Sequence, residues 1–242
     1  LRHDLEFLTI FDEKGILNEH CLEFQGLERL EAREKVVAKL QEKGYVEKIE
    51  DYVNQVGYCY RCNNVVEPYI SKQWFVSKDI ARESIEKVNA GQMKFFPSHW
   101  INSYNAWMRD LRDWCISRQL WWGHQIPVYY CECGAEFVSE NEPQKCPKCG
   151  GVNFKQDEDV LDTWFSSGLW AHSTLGWGNE DWGEGTLWQK EDLKEFYPNS
   201  LLITGFDILF FWVARMLFQS TNALHSLPFK EVYLHALVKD EK

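Results

Sequence analysis

Apolar residues recur along this chain at two different spacings. Over residues 27–43, Leu27, Leu30, Val37 and Leu40 return at helical intervals with charged residues between them. That pattern predicts an amphipathic surface helix covering a sheet. Gly26 precedes it, and Gly44 follows where helices commonly close on a left-handed residue. Residues 1–10 hold a short apolar run read as a strand, and Asp12-Glu13-Lys14-Gly15 reads as a turn. Residues 58–75 are mixed and β-like, broken by Pro68; residues 78–89 read as a second amphipathic helix, and Gly91 and Pro97 then mark a boundary.

From Ser98 onward the chain turns aromatic, with Trp100, Tyr104, Trp107, Trp114, Trp121 and Trp122 in quick succession. A helix is expected over 102–115 and a strand over 126–130. Turns and short strands follow over 131–156, then a helix over 161–170 and a Gly-rich acidic stretch over 176–185. A strand over 200–204 runs into a long apolar helix over 207–224, and a last strand is expected over 232–237. This strand–helix–strand order predicts a parallel α/β sheet.

The bulk numbers narrow the field. A length of 242 residues fits one to two domains, and 45% hydrophobic residues are enough for a core. Twelve Trp point weakly to a shaped pocket with partners for the indole N–H groups. The net charge of -11 is opposite to that of a dedicated basic RNA-binding module. The longest apolar stretch, over 208–218, is interrupted by Arg215, so no membrane span is expected. No secretory signal is read at the start of the sequence, and the expected compartment is the cytoplasm. A chain that opens on Leu1 and stops within Lys239-Asp240-Glu241-Lys242 reads as an excised piece, expected to be monomeric.

Six of the eight Cys fall in close pairs. Cys131-x-Cys133, twelve residues, then Cys146-x-x-Cys149 is the grouping of a zinc ribbon, four thiolates for one tetrahedral ion. Gly134, Gly150 and Gly151 follow the pairs and permit the tight turns that aim N–H groups at sulfur. With no ligand position left open, such a zinc is structural rather than catalytic; the alternative is a reduced or redox cysteine cluster. Cys59-x-x-Cys62 is half a metal site, either completed by ligands elsewhere or metal-free. Cys21 and Cys115 read as buried, inert thiols.

Several longer strings carry a resemblance. The helix GLERLEAREKVVAKL, CNNVVEPYISKQWFV (62–76), WMRDLRDWCISRQLWWGHQIP (107–127), DVLDTWFSSGLW (159–170) and GFDILFFW (205–212) follow in this order over nearly the whole chain. Together they resemble the valyl branch of the class I aminoacyl-tRNA synthetases. An isoleucyl relative is expected to read DVWFDSG, GSDQHRGW and RYWG at the corresponding places. The resemblance implies the second half of a Rossmann-type catalytic domain (98–130 and 157–242), a zinc ribbon insert (131–156), a connecting segment (57–97) and the C-terminal part of an editing domain (1–56). Two strings depart from the family pattern: Ala171-His172 stands where Pro-Phe is expected, and residues 179–193 form a longer segment.

The resemblance implies that the whole protein joins valine to ATP and then to tRNA(Val), with Mg²⁺ and with editing of mischarged threonine. The HIGH-like phosphate signature would lie upstream and the KMSKS-like one just after residue 242, so the piece alone is expected to be inactive. Trp164 and Trp212 are the residues expected on the wall of the valine side-chain pocket, with plain core packing as the alternative. Thr204, Gly205 and Asp207 are expected beside the adenylate, where Asp207 either accepts from ribose hydroxyls or caps the next helix. Arg118 and His124 have no chemical step, and His124 reads as a structural histidine. No general acid or base is required. A different function class stays open: a non-catalytic zinc-ribbon module that binds RNA or protein.

Overall fold

The computed structural model describes residue 3 and residues 5–59, 62–178 and 190–240. The chain divides into two compact units, Leu1–Lys72 and Gln73–Lys242.

In the first unit, residues 5–10 form no strand, contrary to expectation. The turn after them is as read: Asp12 Oδ1 accepts from the Lys14 and Ile16 N–H groups at 2.9 and 3.0 Å, and Gly15 has φ 75°. Helix α1 spans Arg29–Glu42, capped by Glu28, whose carboxylate accepts from Leu30 N. Gly44 closes it at φ 72°. The expected sheet beneath α1 is absent among the described residues, and Leu30, Val37 and Leu40 stay exposed. The β-like reading of 58–75 is answered among the described residues by an isolated bridge, Tyr58 with Val65, and by Phe75 at its end, which is in a strand.

The second unit begins with strand β1 (Phe75–Val76). One 3₁₀ turn, Lys78–Ala81, leads into helix α2 (Arg82–Asn89), close to the predicted span. Strand β2 (Lys94–Phe96) and helix α3 (Trp100–Arg109) follow. Here the helix expected to reach residue 115 stops six residues early. Trp114–Cys115 instead forms β3, antiparallel to β1, because Asp113 Oδ1 accepts from the Lys78 N–H and the Trp114 indole is claimed elsewhere in the unit. Strand β4 is Ser117–Arg118.

The cysteine insert is a three-stranded antiparallel sheet of β5 (Val128–Cys131), β6 (Glu136–Val138) and β7 (Phe154–Gln156), with β5 central. Strand β8 (Val160–Leu161) pairs with β4. The helix expected over 161–170 is two short ones, α4 (Thr163–Ser167) and α5 (Trp170–Ser173), divided at Gly168. A Cβ at Gly168 would run into the Gln219 amide, so glycine permits close packing on the long helix. Of the longer segment over 179–193, residues 179–189 lie outside the described residues; α6 (Lys190–Phe196) is its end.

Strand β9 (Asn199–Gly205) feeds a 3₁₀ turn (Phe206–Ile208), a π-helical turn (Leu209–Val213) and helix α7 (Ala214–Leu224), and β10 (Phe229–His235) returns. The sheet order β2-β10-β9 is parallel throughout, as the strand–helix–strand order predicts. Its core face carries Leu202, Val232 and Leu234, packed with Val213 of the π turn, with α7 residues Met216 and Leu217, and with Val88, Tyr104 and Met108 of the preceding helices. The apolar run over 207–224 is therefore an internal helix, and no described helix is long and apolar enough to cross a membrane.

Candidate functional site

Two sites are built in the second unit. The first lies where α4 packs on the π turn before α7. Asp162 caps α4, its Oδ1 accepting from Trp164 N at 3.1 Å, so the Trp164 side chain leaves the first helical turn. Trp164 is half-buried, its ring 6.0 Å from that of Phe211. Trp212, also half-buried, donates its Nε1–H to the Ser167 carbonyl at 3.0 Å and packs 5.9 Å from Trp170. The two expected wall residues thus stand on facing elements. A π turn widens the helix by one residue per turn, which sets Phe211 and Trp212 apart from the regular face of α7.

The strand end carries the three expected adenylate residues, in different settings. Thr204 is buried, opposite Leu234 of β10. Gly205 is half-buried at the carboxyl end of β9, and Asp207 is exposed. Asp207 is not a helix cap: Gly205 caps the 3₁₀ turn and Ile208 the π turn. Instead the Asp207 carboxylate folds back over Gly205, where any Cβ would collide with Oδ1. His124, expected as a structural histidine, has an exposed side chain, and its carbonyl accepts from Leu161 N at 2.7 Å.

Sequence reasoning missed Asp162. It is 5% exposed, and its Oδ2 accepts from Trp114 Nε1 at 3.0 Å and from Arg118 Nη2 at 2.8 Å. Arg215 Nη1 stands 3.6 Å away, with its guanidinium 3.9 Å over the Trp114 ring. Burial pulls the Arg215 pKa down from its ordinary value, and Asp162 opposes this. The signal available in the sequence was an aspartate directly before a short helix, the N-cap position. Trp114, Arg118 and Arg215 also line a cavity of about 440 Å³ with Trp107 and Phe218.

The second site is the cysteine insert. The sulfurs of Cys131, Cys133, Cys146 and Cys149 all lie within 4.8 Å of one another. Cys131 and Cys149 are 3.6 Å apart, Cys133 and Cys146 3.9 Å. Tetrahedral zinc with bonds of about 2.3 Å places thiolates about 3.8 Å apart, so the donor set fits that ion. Gly134 and Gly150 turn at φ 80° and 71°, and the Gly151 N–H donates to Cys149 Sγ at 3.3 Å. The backbone N–H groups of Cys149 and, less strongly, of Lys148 favour the Cys146 thiolate and bring its pKa down to about 7. An aromatic triangle of Tyr129, Phe137 and Phe154 supports the ribbon, with ring centroids 5.7–5.9 Å apart.

Cys59 and Cys62 belong to the first unit, in a turn where Cys59 N donates to the Asn64 carbonyl and Asn63 is left-handed at φ 57°. They join no cluster of metal-type ligands among the described residues. Cys21 and Cys115 are half-buried rather than buried.

The chain is similar in sequence to known proteins. The sequence profile of the family described as tRNA synthetases class I (I, L, M and V) matches residues 23–242. A protein of Campylobacter jejuni strain RM1221 named Valine--tRNA ligase is 78% identical over 242 residues, all of this chain. A Wolinella succinogenes protein of the same name is 70% identical over 241 residues, and one of Thermotoga maritima 54% identical over 242. The chain spans 28%, 27% and 27% of these relatives, respectively.

Proposed function

The chain belongs to the class I tRNA synthetases (I, L, M and V), and on that premise we propose that it is an internal piece of a valine–tRNA ligase. The whole enzyme activates valine with ATP to valyl-adenylate and transfers it to tRNA(Val), editing mischarged threonine. The observation that carries this reading is 78% identity, without a break in coverage, to a relative named Valine--tRNA ligase. The setting is the cytoplasm.

In this reading residues 98–130 and 157–242 are the second half of the Rossmann-type catalytic domain, 131–156 its ribbon, 57–97 a connector and 1–56 the tail of an editing domain. Trp164 and Trp212 measure the valine side chain. An indole wall suits this task because a rigid ring neither collapses onto a smaller side chain nor stretches around a larger one. Even so, one methylene is worth only about 1–3 kcal/mol in such a pocket. Gly205 brings the strand end close to the adenylate, in keeping with ligand sites at the carboxyl ends of parallel strands. Thr204 is buried just before it, and exposed Asp207 accepts from ribose hydroxyls.

Adenylation is attack of the valine carboxylate on the α-phosphate of ATP, expelling pyrophosphate. This chain's part is to bind and orient the amino acid; phosphate charge is met by Mg²⁺ and by segments outside it. Cys131, Cys133, Cys146 and Cys149 hold one structural zinc, which fixes the ribbon and leaves no position for water. Cys59 and Cys62 are half of a second site.

The test is amino-acid-dependent ATP–pyrophosphate exchange by the full-length protein that contains this chain. Exchange led by valine is the expected result; exchange led by isoleucine, leucine or methionine would refute the valine assignment while leaving the family intact.

A further inference from the structure

We propose that Asp162 is the positioning residue that sets the tilt of Trp164 and thereby the width of the amino-acid pocket. This rests on the reading of Trp164 as a valine contact.

The side chain of Asp162 does two separable things. Its Oδ1 caps α4 through Trp164 N. Its Oδ2 gathers the Trp114 indole, the Arg118 guanidinium and, at 3.6 Å, Arg215 Nη1. The main chain adds a third tie, Asp162 N donating to the Ile116 carbonyl at 2.7 Å. One carboxylate therefore fixes α4 against β3, β4 and α7.

Helix α4 has only five residues. A helix that short has no cooperative stability of its own, so external contacts dictate its axis. Trp164 lies in its first turn, with its own N–H held by the cap, so the geometry of the cap sets the direction in which its side chain leaves the backbone. The ion cluster is a stiff reference for that rotation, since a carboxylate only 5% exposed is poorly solvated and stays with its donors. Two guanidinium groups share this one carboxylate, leaving the cluster one positive charge in excess. Arg215 Nη1 is buried without a hydrogen bond, so its hold on Asp162 is by charge and by the Trp114 face beneath it.

Removing the charge but not the cap separates positioning from folding. Asp162→Asn keeps an oxygen for Trp164 N and turns an amide toward donors it cannot satisfy. Arg118→Met removes the strongest of those donors from a side chain that is 38% exposed. Both variants, with Trp164→Phe as reference, are made in the full-length enzyme and first checked for zinc content and thermal midpoint. The readouts are KM for valine, KM for ATP, and the kcat/KM ratio of valine to 2-aminobutyrate, which is one methylene smaller.

Asp162→Asn and Arg118→Met are each expected to raise KM for valine about tenfold and shrink the ratio several-fold, with KM for ATP unchanged. The double variant is expected to be no worse than the poorer single one, since both act through one cluster. If Asp162→Asn does not fold, Arg118→Met alone decides. An unchanged ratio in a folded variant, alongside a changed ratio in Trp164→Phe, overturns the positioning role only. An unchanged ratio in Trp164→Phe overturns the pocket reading, and this proposal with it.

Discussion

Trp212 donates its indole N–H to the main-chain carbonyl of Ser167 across the junction of the π turn and α4, at 3.0 Å. This bond ties the two expected wall elements together through a backbone atom, so it holds whatever side chain follows Ser167. Replacing Trp212 by Phe keeps an aromatic wall but removes the donor. A lost hydrogen bond of this kind costs about 1 kcal/mol. The thermal midpoint of Trp212→Phe is expected to fall by roughly 2–4 °C for a unit of this size. Calorimetry that finds no change would show the bond to be incidental.

The ribbon is expected to hold one equivalent of zinc, and a second equivalent is expected only if Cys59 and Cys62 find ligands in the whole protein. Because thiolates bind the metal and thiols do not, affinity falls as pH falls. Replacing Cys146, the most buried of the four at 2% exposure, by Ser is expected to abolish the ribbon's equivalent. Elemental analysis of the dialysed protein reads this directly, and a metal-free wild-type ribbon would remove the zinc assignment.

His172 makes stability pH-dependent. It is fully buried, its Nδ1 is 3.0 Å from Ser220 Oγ, and its ring stands edge-on to Trp177. Burial lowers its folded-state pKa. As pH falls, the unfolded chain therefore takes up the proton first, near its ordinary value of about 6.5. The histidine's contribution is whole above that pH and is lost as pH drops from it toward the folded value. Urea midpoints of the wild type are expected to decline from about pH 7.5 to about 5.5. His172→Phe, the aromatic that the family pattern places here, is expected to flatten the decline; an equally steep decline would assign it to other groups.

The isolated chain is expected to give no valine-dependent ATP–pyrophosphate exchange, because neither phosphate-binding signature is within it. Clear exchange by the purified 242-residue chain would show that adenylation needs less than the family pattern implies.

Much of this was legible in the residues. The cysteine spacing led directly to a four-sulfur cluster, and the final strand–helix–strand order led to the parallel sheet. What escaped was decided by tertiary contacts. Residues 110–115 carry polar and apolar residues at helical spacing, yet Lys78 and Asp162 draw Asp113 and Trp114 out of the helix. The π turn at Leu209–Val213 leaves no trace, since an unbroken apolar run looks the same at either pitch. The stripe of α1 predicted a covering sheet, but periodicity shows only that a face is apolar, not what lies against it. At the site, the two tryptophans are expectations of the resemblance, whereas the carboxylate of Asp162 emerges only in three dimensions, because its partners Trp114, Arg118 and Arg215 are all distant from it in sequence.

The central claim, that Trp164 bounds the space for the valine side chain, is tested most directly by Trp164→Ala in the full-length enzyme. The quantity to measure is kcat/KM for valine against isoleucine, one methylene larger, in pyrophosphate exchange. Opening the wall is expected to reduce the preference for valine by at least about tenfold, mainly by admitting isoleucine. A folded variant that keeps the wild-type preference would contradict the account.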